Sequence, residues 1–167
     1  EFTNSQHFVL GYDYSPAGDW RLKSEVYYQM LSNVPVTLKP SSFSMLNAGA
    51  SFAPVEVSYL VNEGSGTNYG VELTIEKFFS KGYYGMLTGS LYDSKFEASN
   101  AVEYNTAFNG QYVYNVLAGK EFKLGKNKRN ALSFDMKFTQ AGGRYYTPVD
   151  QEASQAANNE VLMGDEY

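Results

Sequence analysis

The chain of 167 residues contains no cysteine and only one histidine, His7. Without cysteine it can form neither disulfides nor thiolate metal sites, and one histidine cannot form a histidine cluster. Charged residues make up only 19% of the chain, and the net charge of −5 does not favour binding to nucleic acid. Long apolar runs are also missing, which excludes a transmembrane helix of about 20 residues.

The residue patterns of common catalytic sites are missing too. No serine lies in a G-x-S-x-G motif, and a serine–histidine triad would depend on His7 alone. Two glycine-containing segments could cradle a phosphate, 64–66 and 142–143. Neither segment precedes a predicted helix, as such a site would require. The sequence therefore predicts a protein that is not an enzyme and that holds no metal or other cofactor.

Aromatic residues are abundant instead. They make up 16% of the chain, with fifteen Tyr and eleven Phe, and are accompanied by fifteen Gly. Many aromatic and glycine residues with few charges are typical of β-strands joined by turns. The sequence thus favours an all-β fold.

Apolar and polar residues alternate along several segments. The clearest example is 132–138, and the same period of two occurs over 8–14, 22–28 and 71–75. Such alternation predicts strands with one apolar and one polar face. Two further strands are expected over 82–96 and 110–123, where the alternation is weaker. The orientation of 82–96 stays open, because Leu87 and Leu91 or Met86 and Tyr92 could form its apolar side.

The connections between these strands are of two kinds. Segments 15–19, 80–82 and 125–128 have the composition of tight turns, whereas the links at about 31–67, at about 97–109 and after Gly142 are longer. Short and long links alternate, so about six antiparallel up-and-down strands would have all tight turns at one end. Transmembrane β-barrels have this asymmetry, with short periplasmic turns and long extracellular loops.

A barrel wall would place the apolar residues of these strands against lipid. The residues predicted to face lipid are Leu22, Val26, Val71, Leu73, Ile75, Leu132, Phe134, Met136 and Phe138. Aromatic residues flank the tight turns, where a barrel carries an aromatic girdle at the level of the lipid headgroups. The predicted girdle residues are Tyr12, Tyr14, Trp20, Phe78, Phe79, Tyr83 and Phe122. Alternatively, these aromatic residues form the core of a soluble sandwich.

The opposite face would line the lumen of the barrel. Its charged residues are expected to be Arg21, Lys23, Glu72, Glu76 and Lys137. Glu72 and Glu76 either contact a plug domain or a passing ligand, or form ordinary ion pairs with the three basic residues. The polar segment 147–159 is expected to be an exposed loop or disordered.

The long link 31–67 could contribute to ligand binding. It carries five apolar or aromatic residues among Ser, Asn and Pro: Phe43, Met45, Leu46, Phe52 and Tyr59. Two interpretations stay open, in which this loop covers the mouth of the barrel and contacts substrate or packs against neighbouring loops.

Several segments are similar in order and spacing to one protein family. Residues 60–77, LVNEGSGTNYGVELTIEK, resemble the place where an upper loop of a TonB-dependent outer-membrane receptor of the Bacteroidetes type turns into a strand. Segments 88–96, 108–122 and 139–148 resemble later parts of the same receptors. The resemblance spans roughly 20–150.

The resemblance implies a barrel of about 22 strands in a bacterial outer membrane, closed by a plug domain. Its function would be active uptake of an iron chelate, vitamin, glycan or peptide, driven through the TonB complex. This chain shows neither a plug nor a terminal strand, so residues 1–167 are expected to form one partial barrel domain from its C-terminal half. Its partners would be lipid, the rest of the barrel with its plug, and TonB, with no nucleic acid. A passive porin, a structural barrel and a soluble carbohydrate-binding sandwich are the alternatives.

Overall fold

The protein forms one long antiparallel sheet in a computed structural model that describes residues 2–50, 57, 59–146, 148–159 and 161. The strands are β1 Asn4–Ala17, β2 Trp20–Thr37, β3 Leu60–Ser80, β4 Tyr83–Glu97, β5 Glu103–Asn105, β6 Tyr112–Leu124 and β7 Asn130–Ala141. A 3-10 turn at Met45–Asn47 and the helix α1 Gln151–Ala157 complete the regular structure.

The strands follow one another across the sheet in the order β1-β2-β3-β4-β6-β7, and the short β5 pairs with β4. Every pair of neighbours is antiparallel. This confirms the predicted all-β, up-and-down fold, with six long strands and one strand of three residues. Among the described residues the sheet does not close, since β1 and β7 lie at its two edges.

Short and long connections lie at opposite ends of the sheet, here named the turn end and the loop end. Residues 18–19, 81–82 and 125–129 connect strands at the turn end. Gly82 and Gly125 have φ of +80° and +79° there, a conformation that glycine adopts without steric cost. At the loop end, 38–59 joins β2 to β3, and 98–111, which contains β5, joins β4 to β6.

The predicted long link over 31–67 is shorter in the structure, because strands extend into both of its ends. β2 continues to Thr37 and β3 begins at Leu60, so that Val36 pairs with Val61 above the regular part of the sheet. The register shifts between Leu31 and Val34, where Asn33 has a φ of 57°. This irregularity interrupts the alternation of apolar and polar residues. The strand predicted from that alternation therefore ends before the strand in the structure does.

Two other predictions at the loop end are also wrong. The resemblance implies an upper loop in the first part of 60–77, but the whole of this segment lies inside β3. The expected loop at 147–159 contains α1, whose first turn is capped by the Asp150 carboxylate accepting from the amide of Ala153. The chain after this helix also contacts it, since the backbone amide of Asp150 donates to the carbonyl of Val161 at 2.7 Å.

The buried core of the described residues lies at the loop end, where the last residues of β2 and β4 meet the loop after β4. Its apolar members are Val34, Val36, Phe96, Ala98 and Ala107. Phe96 also stacks on Tyr104, with ring centroids 5.6 Å apart. By contrast, all residues of β7 are exposed. The buried apolar residues of the described chain therefore cluster at the loop end, whereas no apolar residue is buried in the sheet between there and the turn end.

No helix in the described part of the chain has both the length and the apolar character needed to cross a membrane.

Candidate functional site

The register of the six long strands sorts their side chains into two faces. Val26 pairs with Leu10 and Val71, and Val71 pairs with Leu91, so these residues share one face. Across the rest of the sheet, Val116 pairs with Leu87 and Phe138. We name this the apolar face. It includes all nine residues predicted to face lipid: Leu22, Val26, Val71, Leu73, Ile75, Leu132, Phe134, Met136 and Phe138.

The register also decides the orientation of β4, because Leu87 and Leu91 lie on the apolar face and Met86 and Tyr92 on the other. That other face, named the polar face, contains the five predicted lumen residues Arg21, Lys23, Glu72, Glu76 and Lys137. The nine apolar residues and these five charged residues therefore lie on opposite sides of the sheet, and their contact with lipid or with a lumen stays a prediction.

Five of the seven predicted girdle residues lie at the turn end of the apolar face: Tyr12, Tyr14, Trp20, Tyr83 and Phe122. Tyr12 stacks on Tyr14 at 6.1 Å, and Phe122 meets Phe134 edge to face at 6.1 Å. Trp20 is 41% exposed. The remaining predicted members Phe78, Phe79 and Tyr83 are also exposed. Phe78 and Phe79 lie where the register between β3 and β4 shifts, so their sides do not follow from the alternation.

Lys77 joins two of the tight turns beneath these rings. Its ammonium group lies 2.8 Å from the Asp19 carboxylate and donates to the Ser80 hydroxyl, which in turn donates to Asp19. The same ammonium lies 4.7 Å from the centre of the Tyr83 ring and 6.0 Å from that of Trp20. We name Asp19, Lys77 and Ser80 the turn clamp. Lys77 is only 5% exposed, so its charge is neutralised inside the clamp and does not project from the apolar face.

A second group of tyrosines lies at the loop end of the apolar face. Tyr28 stacks on Tyr69 at 6.4 Å, and Tyr112 stacks on Tyr114 at 5.5 Å. The sequence analysis predicted an aromatic girdle only beside the tight turns, so it did not predict this second group. Their position could have been inferred, since Tyr28, Tyr69 and Tyr114 each lie two residues from a valine on the same strand.

The distance between the two aromatic groups matches the apolar thickness of a membrane. Tyr28 lies eight residues after Trp20, and Tyr112 lies ten residues before Phe122. At about 3.3 Å per residue and a strand tilt of about 40°, the separation along a membrane normal would be about 20 to 25 Å. On the described apolar face between these groups, the charged side chain is Lys120, which lies opposite Phe134, and its ammonium group is 5.0 Å from the centre of the Phe122 ring at the turn end.

Side-chain hydrogen bonds cross the polar face from strand to strand. Thr106 donates to Ser94, Ser94 to Asn68, Asn68 to Gln29, and Gln29 to Ser5. We name these five residues the polar ladder. The first four side chains of the ladder each donate towards β1 and Ser5 accepts the last bond, which lets each bond polarise the next. The ladder links four strands and a loop without using a charged group.

A second, shorter series of bonds crosses β7, β6 and β4 in the same direction. The Thr139 hydroxyl donates to Asn115, whose amide donates to Thr88 at 3.1 Å. The polar face therefore fixes its amides and hydroxyls in place, as expected for a surface that must stay in register.

Tyrosines on the polar face cover glycines on the neighbouring strand. A Cβ added to Gly70 would lie 2.7 Å from the Tyr27 hydroxyl oxygen, and one added to Gly119 would overlap with the Tyr84 ring. The Tyr84 hydroxyl donates to Asp135 at 2.7 Å across that glycine. Only glycine leaves room for these rings to lie flat on the sheet.

The charged residues of the polar face do not pair as one interpretation of the sequence expected. Arg21 pairs with Asp13, and Lys23 pairs with Glu25 at 2.6 Å. In the described part of the chain, no ion pair includes Glu72, Glu76 or Lys137. Glu72 instead lies directly opposite Glu25, which leaves acidic charge on this face.

The loop over 38–59 packs against its neighbour 98–111. The backbone amide of Ala107 donates to the Asn47 carboxamide at 3.0 Å, and Ser99 bonds to both Thr37 and Ser41. The Leu46 side chain lies over Gly66 of β3. Of the loop residues singled out in the sequence, Tyr59 is 85% exposed, and Phe52 lies outside the described residues. Contact between the loops is thus confirmed, and contact with a substrate stays a prediction.

Within the described residues, no three His, Cys, Asp or Glu side chains lie together as a metal site would require. The arrangement offers surfaces instead: one apolar side with aromatic borders and one polar side with fixed hydrogen bonds. Comparison of the chain with family models, with curated proteins and with solved structures gives no match.

Proposed function

We propose that the chain is a wall segment of a transmembrane β-barrel in a bacterial outer membrane, belonging to a TonB-dependent transporter for active nutrient uptake. The observation that carries the barrel is the apolar face itself. Large apolar side chains such as Leu10, Phe134 and Met136 are 78%, 62% and 61% exposed. Water penalises so large an apolar surface, whereas lipid solvates it.

The two aromatic groups and the two kinds of connection support the same orientation. Tyr and Trp are favoured at the boundary between lipid and water, because the apolar ring can contact lipid while the polar O–H or N–H group is hydrated. The tight turns would face the periplasm and the packed loops the cell exterior. The polar face, with its ladder and acidic residues, would then face the lumen.

The transporter itself is proposed from the resemblance of residues 60–77 and the later segments to TonB-dependent receptors. In such a protein this chain contributes wall, outer loops and lumen contacts, while a plug domain and TonB supply gating and energy. The edges at β1 and β7 agree with this role, since a lipid-exposed edge leaves its N–H and C=O groups unsatisfied. Strands of the parent protein would pair with both.

Membrane fractionation of cells that produce the parent protein tests the proposal. An epitope inserted in loop 38–59 should be labelled by antibody on intact cells, and the protein should be recovered in the outer membrane. A matched epitope at the 125–129 turn should be labelled only after the outer membrane is permeabilised. Recovery in the soluble fraction would overturn the proposal in favour of a sandwich-type binding module.

Deleting the genes of the TonB complex separates active transport from a passive pore. A TonB-dependent transporter should lose uptake in that background while remaining in the outer membrane. Unchanged uptake would instead identify a passive porin.

A further inference from the structure

A hollow with two chemically different parts lies at the loop-end margin of the apolar face. The first part has a volume of about 670 Å³, and the side chains along it include Val26, Tyr28, Tyr69, Val71 and Leu91. The second part has a volume of about 450 Å³ and is lined by Tyr92, Asp93, Lys95, Asn105, Gln111 and Tyr145. Tyr92, Asp93 and Gln111 border both parts, so an apolar and a polar compartment adjoin.

The fold creates this hollow by a change of partner along β4. β4 pairs with β6 as far as Leu91 and with β5 from Lys95 onwards. Between these pairs the chain at 106–111 leaves the sheet and returns through Gln111, which has a φ of 65°. The gap is therefore a product of strand topology and does not depend on the rotamer of one side chain.

The polar compartment holds its carboxylate rigidly. The Tyr69 hydroxyl donates to one oxygen of Asp93 at 2.9 Å, and the Asn109 amide donates to the other. Asn109 is fully buried, and its amide also donates to Asn105 at 2.9 Å. Asn109 thus hydrogen-bonds to both Asp93 and Asn105, two residues that line the compartment.

The charges in and beside this compartment disfavour an anionic group. Lys95 lies 3.0 Å from Glu103 and 3.8 Å from Asp93, so two carboxylates surround one ammonium group. A phosphate would meet net negative charge there. The uncharged amide and phenol groups of Gln111 and Tyr145, which hydrogen-bond at 3.1 Å, suit hydroxyl groups.

We propose that this hollow binds a glycolipid, with an acyl chain along the apolar compartment and an uncharged, hydroxyl-rich headgroup in the polar compartment. The inference rests on the proposed function, which places the apolar face in lipid and its loop end at the outer surface. The Tyr28–Tyr69 stack would border the chain at the depth where headgroup and acyl region meet.

Photolabelling of the parent protein in mixed micelles tests the site. Two probes carry the same diazirine-bearing acyl chain, one with a maltoside and one with a phosphocholine headgroup. The maltoside probe should label peptides from the hollow several-fold more strongly than the rest of the apolar face, and the phosphocholine probe should show no such preference. Equal labelling patterns for the two probes would overturn the proposal and identify ordinary boundary lipid.

Two substitutions of equally exposed residues sharpen the test. Leu91→Trp fills the apolar compartment, whereas Met136→Trp adds the same ring on β7, away from the hollow; the two residues are 60% and 61% exposed. Leu91→Trp should abolish the preferential labelling and Met136→Trp should leave it intact. Labelling that survives Leu91→Trp would contradict the site.

A third substitution, Gln111→Leu, should remove the preference for maltoside over phosphocholine while general labelling continues. A preference that survives it would contradict the assigned headgroup compartment. Recovery of each variant in the outer membrane is scored separately, so failure of the glycolipid site is distinguished from failure of the barrel proposal.

Discussion

Single glycines decide whether a tyrosine ring can lie flat on the sheet. On the polar face, Gly119 lies beneath the Tyr84 ring, whereas a Cβ added to Gly89 on the apolar face would meet no atom within 4 Å. The two residues are both in strands, so they differ mainly in what covers them. They therefore form a matched pair for measuring the contribution of the ring–glycine contact.

We expect Gly119→Ala to destabilise the parent barrel by about 1–3 kcal/mol, because the added methyl group displaces the Tyr84 ring from the sheet. Gly89→Ala should change the free energy of unfolding by less than about 1 kcal/mol. Urea unfolding in lipid vesicles measures both values. Equal losses for the two variants would show that the tyrosine is not the cause.

Adjacent residues on opposite faces should respond differently to charge. Leu73 lies on the apolar face and Thr74 on the polar face. In the proposed barrel, Leu73→Arg should cost about 2–4 kcal/mol near the middle of the bilayer, because the guanidinium would enter lipid, and Phe134→Arg should behave similarly.

Thr74→Arg is the control, since its side chain would reach the lumen, and its cost should be much smaller. Unfolding from vesicles again supplies the measurement. A cost at Thr74 as large as that at Leu73 would place the wrong face against lipid.

The sequence predicted these faces because alternation is a local property that each strand carries by itself. Ion pairs were harder to predict, since they depend on the register and on the reach of the side chains. Arg21 illustrates this: Glu76 lies directly opposite it on β3, yet Arg21 binds Asp13 on β1. The polar ladder depends on register in the same way.

At the scale of strands and turns, the turn clamp links two hairpins. The pKa of Asp19 is lowered because Lys77 and Ser80 both donate hydrogen bonds to its carboxylate. A carboxyl whose pKa is lower in the folded state stabilises that state above its unfolded pKa, and this contribution is lost as the pH falls through the folded value.

Acid should therefore weaken the parent protein more than an Asp19→Asn variant over the range below about pH 4. Unfolding curves recorded from neutral pH to this range give the difference between the two proteins. Ser80→Ala, which removes one of the two donors, should reduce that difference. Parallel curves for the parent protein and Asp19→Asn would show that the clamp does not couple to pH.

Element boundaries were less predictable than element types. β2 was predicted to stop too early because Asn33 and its bulge reverse the alternation there. Gly64 and Gly66 suggest a turn by composition, yet inside β3 they give room to the side chains of Val36 and Leu46. The helix α1 has only seven residues, too few to form on propensity alone, so its cap and its contact with Val161 could not be foreseen.

At the scale of the whole molecule, the open edges determine how the chain behaves alone. β1 has 14 residues and β7 has 12, and both would leave a row of backbone groups unpaired. Produced without the strands of the parent protein, residues 1–167 should self-associate in detergent. Analytical ultracentrifugation distinguishes this outcome from a single monomeric species, which would show that the edges are otherwise satisfied.

In the proposed barrel, the placement of the buried core at the loop end means that water and lipid would act on different parts of the chain. Unfolding the loops around Phe96 exposes apolar surface to water and so raises the heat capacity. The apolar face would make no such contribution to the heat capacity, because lipid would solvate it before and after any movement of the loops. Cooling weakens the hydrophobic effect and should therefore loosen the packed loops at the loop end while the sheet stays intact. The loops should thus respond to cold before the sheet does.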